Sequence, residues 1–174
     1  WWVRSFFAGS IGKFCQVSNS GTSLSVNSPR SNGLAPALRV CYTPPQPISN
    51  LAVGDIVKVK ESGTDVDYII VQKGNPDATM YDASCDGTWV LRKDCYSKQV
   101  YATNGINNYE DSSILAYINS TFYSVFDTAT KSVIKQVKIP YMKGPGNTGT
   151  IMSGENGLLS NCFLLSCNEV GFGG

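Results

Sequence analysis

The chain contains no histidine. That removes the side chain most often used as a general base and as a metal-ligating imidazole. Its six cysteines, Cys15, Cys41, Cys85, Cys95, Cys162 and Cys167, form no CxxC pair. The clustered Cys and His ligands of a zinc site are therefore missing. No apolar run approaches the roughly 20 residues that a membrane-spanning helix needs. An excess of one charge is also missing, since 14 Lys+Arg stand against 13 Asp+Glu for a net charge of +1. No basic patch stands out, so phosphate-driven nucleic-acid binding has no support. There is no initiator Met, and the chain opens on Trp1-Trp2, as expected of a piece of a longer or processed product.

What is present suits an ordinary globular protein. The length of 174 residues fits one domain or parts of two, and a hydrophobic fraction of 42% allows a sizeable core. The even cysteine count permits an extracellular disulfide framework. The apolar neighbours of Cys15, Cys41 and Cys162 suit buried free thiols equally well. Both readings stand.

One boundary is visible. Thr43-Pro44-Pro45-Gln46-Pro47 fixes φ at three positions and removes three amide donors. An extended linker over 43–50 is expected, dividing residues 1–42 from 51–174. In the first part, Phe14-Cys15-Gln16-Val17 predicts a strand, Ser18-Asn19-Ser20-Gly21 a turn and Leu24-Ser25-Val26 a returning strand. Asn32-Gly33 is a further turn signal, and 35–40 a closing strand. In the second part, 55–60 alternates apolar and charged residues as a half-buried strand does. A turn at 61–65, a strand at 68–71 and a third strand at 89–91 follow. Asp111 or Ser112 caps a predicted helix with Ile114, Leu115, Ile118 and Phe122 on one face. Asp127 caps a second, holding Ala129, Val133, Ile134 and Val137. Its Lys131, Lys135 and Lys138 suit the helix dipole, and Pro140 stops it. Phe163-Leu164-Leu165 is a last buried strand. Strands, then helices, then strands predict an α+β domain.

No catalytic constellation emerges. Cys162 and Cys167 have no histidine partner, so the nucleophile–base pairing of a cysteine protease fails. Asp65, Asp67, Asp77, Asp82 and Asp86 are the densest carboxylates. A glycosidase pair or, with Asn75, a Ca²⁺ site is weighed there against turns in which Asp bonds its own backbone, and the turns are favoured. The glycine-rich 144–149 lacks the Gly-Lys-Ser/Thr ending of a phosphate loop. Asn119-Ser120-Thr121 matches a glycosylation sequon but falls on a predicted helix. No metal and no cofactor is expected. Residues 6–30 mix aromatics with small adaptable polar residues on a turn-rich frame, the composition of a recognition surface. The plainer reading tucks Phe6 and Phe7 into the core.

The chain also resembles a domain family of gut Firmicutes and their phages. Trp1-Trp2-Val3-Arg4-Ser5, Phe14-Cys15, Val17, Gly21 and the run from Ser31-Asn32-Gly33 to Leu38-Arg39-Val40 are similar to that family's ending, which reads WWLRSP, FC, then NGVAP or GVRPAL. Residues 51–174 are similar to its beginning. The matching stretches include Val53-Gly54-Asp55-Ile56-Val57-Lys58, Met80-Tyr81-Asp82-Ala83-Ser84-Cys85-Asp86-Gly87-Thr88-Trp89 and Ile134-Lys135-Gln136-Val137-Lys138-Ile139-Pro140-Tyr141. The ending looks like the C-type-lectin-like fold of variable proteins of diversity-generating retroelements. That resemblance implies an α+β, C-type-lectin-like fold. Its mixed or antiparallel sheet would have paired terminal strands and two flanking helices. It also implies a scaffold of Phe14, Cys15, Val17 and Gly21. The varied, ligand-facing set would be Phe6, Phe7, Ser10, Ile11, Lys13, Gln16, Ser18, Thr22, Leu24, Val26 and Arg30.

The halves stand in reverse order relative to that family. Tandem domains, a circular permutation or a cut chain would each produce this. Permutation expects 35–40 beside 55–59 in one sheet, whereas tandem domains expect strand exchange between chains. The function expected is non-enzymatic recognition of a host-surface protein or glycan. Display would be on a virion or an extracellular cell surface, among other virion or fibre subunits, with no nucleic acid and no membrane insertion. A purely structural fibre protein is the alternative. A catalyst related to the formylglycine-generating fold is another, which would need a depressed thiol pKa at Cys162 or Cys167.

Overall fold

The computed structural model describes residues 2–6, 13–17, 23–27, 31–34, 36–40, 48–103, 105, 108–144 and 149–171. The expected turns at 18–21, the prolines at 44–47 and most of the glycine-rich loop (145–148) lie outside them. The fold is α+β with antiparallel sheets.

A five-stranded sheet is its centre. It is built from β5 (Ala37–Val40), β6 (Ile56–Glu61), β7 (Thr64–Lys73), β8 (Thr88–Arg92) and β14 (Cys162–Phe163), in the order β14-β5-β8-β7-β6. The β6–β7 hairpin forms because its Ser62-Gly63 turn takes positive φ at both residues, 49° and 82°. That twist matches the strands it joins. Leu38, Val90 and Ile70 are register partners across β5, β8 and β7, and all three are fully buried. β7 carries an irregularity between Ile70 and Gln72, where its pairing with β8 shifts.

The expectation that 35–40 lies beside 55–59 is corrected. The two segments share the sheet, but β5 pairs with β8 and β14 while β6 is an outer strand. The reason lies in burial. Ala37 and Leu38 are 0% exposed, as an inner strand demands, whereas β6 alternates exposed and covered residues. The β5 backbone is held beyond its ladders as well, with Arg92 N–H donating to Pro36 O at 3.2 Å and Lys135 N–H to Arg39 O at 3.1 Å. Gly87 leaves room for Arg39. A Cβ there would lie 2.0 Å from Arg39 Nε.

Two helical segments flank the sheet. Ser112 caps α1 (Ser113–Tyr117), its Oγ accepting from Leu115 N at 3.2 Å. α1 widens into a π-helical turn at Ile118–Phe122. Asp127 caps α2 (Thr128–Val133), accepting from Thr130 N at 2.7 Å. Here the second prediction is corrected, because α2 ends at Val133 and Val137–Ile139 is strand β10. The segment satisfies both periodicities, and pairing with β13 (Leu158–Ser160) decides for the strand. Val137 and Ile139 face inward, both fully buried. β11 (Tyr141–Lys143) and β12 (Thr150–Met152) continue the ribbon past Pro140. The residues predicted as the last strand are buried, but only Cys162–Phe163 pairs.

Trp89 anchors the core near the β14 side. It meets Phe163 and Tyr81 edge-on, at centroid distances of 5.0 and 5.6 Å, and its Nε1–H donates to Cys85 O at 2.9 Å. Edge-on aromatic packing adds to simple burial. The described helices include none long and apolar enough to cross a membrane.

Candidate recognition surface

The N-terminal part forms its own three-stranded sheet, β1 (Trp2–Phe6), β2 (Lys13–Val17) and β3 (Ser23–Asn27), in that order. Gln16 pairs with Leu24 and with Trp2, and Phe14 pairs with Val26 and with Phe6. Strand positions of one parity share a face. Phe6, Gln16, Leu24 and Val26 therefore fall on one face, and Phe14, expected as scaffold, falls with them. Lys13 pairs with Asn27 on the opposite face, together with Cys15 opposite Ser25 and Val17 opposite Ser23. The ligand-facing set is thus split by register, four positions to one. Phe7, Ser10, Ile11, Ser18, Thr22 and Arg30 lie outside the described residues.

Strands β4 (Ser31–Leu34) and β5 tie this part to the rest of the chain. β4 pairs with β9 (Ser97–Val100), from Ser31 opposite Val100 to Leu34 opposite Ser97. β5 then enters the central sheet. Asn32-Gly33, expected as a turn, lies inside β4, because the β9 ladder supplies the partners that an isolated Asn-Gly would seek in a turn.

The polar clusters of 51–171 hold the frame. Glu61 Oε1 accepts from Tyr68 OH at 2.5 Å and from Arg92 Nε at 2.9 Å, with Glu61 only 7% exposed. Burial, then the bond to Glu61, pushes the Tyr68 hydroxyl far above its ordinary range. Lys73 Nζ donates to Ser49 O and Leu51 O at 2.7 and 2.5 Å, fastening the 3₁₀ turn at Ile48–Asn50. Tyr81 OH donates to Glu169 at 2.5 Å, and Ser166 N donates to the other oxygen. The Asn119 amide donates to Ser160 Oγ and Cys162 O, both at 2.9 Å, and accepts from Asn161 N and Cys162 N. Its side chain is thus committed to the β13–β14 corner, although it heads a sequon.

The aspartates follow the turn reading where they bond their own loops. Asp77 accepts from Thr79 N and Oγ1, and Asp82 caps a 3₁₀ turn through Ser84 N. Those bonds lower both carboxyl pKa values. Asp67 is lowered chiefly by its hydrogen bond to Lys58, and Asp65 pairs with Lys60 at 2.7 Å. Among the described residues, no three His, Cys, Asp or Glu side chains converge as metal ligands. Cys95 and Cys162 are free thiols. Cys162 is fully buried, and desolvation pushes its thiol pKa up, opposite to the depression that a nucleophile needs.

Residues 86–174 match the model of a domain of unknown function, DUF6273, and the chain belongs to that family. No curated protein and no solved structure matches it.

Proposed function

We propose that this chain is a non-enzymatic recognition module of C-type-lectin-like character, displayed on a virion or at an extracellular cell surface. Its ligand is a host-surface protein or glycan. The observation that carries the reading is the β1–β2–β3 sheet, where Phe6, Gln16, Leu24 and Val26 share one face by register. That sheet is joined through β4 and β5 to a frame fastened by the buried Glu61, Tyr68 and Arg92 network. A rigid frame that presents a compact mixed surface suits recognition, because little entropy is lost on binding. The raised thiol pKa of Cys162 weighs against the formylglycine-type catalyst.

The test is sequencing of the encoding locus across a population of its source. Variation confined to codons 6–30, beside a reverse-transcriptase gene, is the expected result. The codons for Phe14, Cys15, Val17 and Gly21 should hold constant. An invariant segment with no such neighbour overturns the reading and leaves the structural fibre protein in front.

A further inference from the structure

We draw no further inference here: the strongest candidate, the Arg39 side chain of β5 lying over Gly87 with its Nε lacking a hydrogen-bond partner, carries nothing, because that Nε is sealed from any ligand and no second group among the described residues points to one there.

Discussion

β5 and β6 are both short strands of one sheet, and they live under opposite rules. β5 is paired on both sides, and its Ala37 and Leu38 are fully buried. β6 is paired along its length on one side, with only Glu61 bridged to Phe126 beyond it, and Ile56, Lys58 and Lys60 are exposed. The strand from the N-terminal part is therefore the inner one, and it joins β8 to β14. An inner strand carries stability, whereas an outer strand remains free to carry contacts. Truncating one residue on each is the sharpest way to break this contrast. Leu38→Ala should cost about 3 kcal/mol, because a fully packed site loses contacts and gains a cavity. Ile56→Ala should cost less than about 0.5 kcal/mol in dilute solution. Urea unfolding midpoints give both values, and similar losses at the two sites would show that β5 is not an inner strand.

Within β6 itself the contrast narrows to neighbouring residues. Glu61 closes the strand inward onto Arg92 and Tyr68, while Lys60 reaches out to Asp65, with side chains 54% and 56% exposed. Glu61→Ala leaves Arg92 and the Tyr68 hydroxyl without their shared acceptor in a buried setting, so a loss of about 3 kcal/mol is expected. Lys60→Ala removes a solvated pair and should change stability by at most about 0.5 kcal/mol. Thermal denaturation of the two variants checks the ratio. A Glu61 variant as stable as the Lys60 variant would mean that water reaches the inner pair.

Much of this contrast was legible before any coordinates. The alternation at 55–60 marked β6 as half-buried, and 35–40 was read as a closing strand with nothing said of its burial. Their order in the sheet was not legible, since alternation describes one strand and says nothing about its neighbours. Val137 misled for a related reason, because it continues the helical spacing of Val133 and Ile134 until pairing with Ser160 decides. The strands β9 and β11–β13 are three or four residues long and carry little pattern. The cap at Asp127 was read directly and that at Ser112 as one of two candidates with Asp111, because a cap is local chemistry. For the candidate site, composition pointed to residues 6–30, but only the ladder could separate Lys13 from Gln16.

The smallest expected effect concerns two tyrosines and sharpens the inner–outer contrast by pH. Tyr68 faces the closed side and Tyr141 stands on the ribbon, where it donates to Glu110 at 2.9 Å. Burial, then the bond to Glu110, pushes Tyr141 up to about 12 from an ordinary 10.0. Tyr68 is raised further, again by burial first. A raised folded-state pKa means that the folded chain holds the proton more tightly than the unfolded one. The stabilisation is full below pH 10.0 and is lost as pH rises through about 12. Near-neutral pH changes should leave these contributions untouched. Tyrosinate absorbance followed during an alkaline titration should show Tyr141 ionising before Tyr68, which ionises only as the chain unfolds. Tyr141→Phe should remove absorbance change near pH 12. A change lost instead near the ordinary 10.0 would show that the Glu110 bond does not form, and that this part of the ribbon is as open as the outer side of β6.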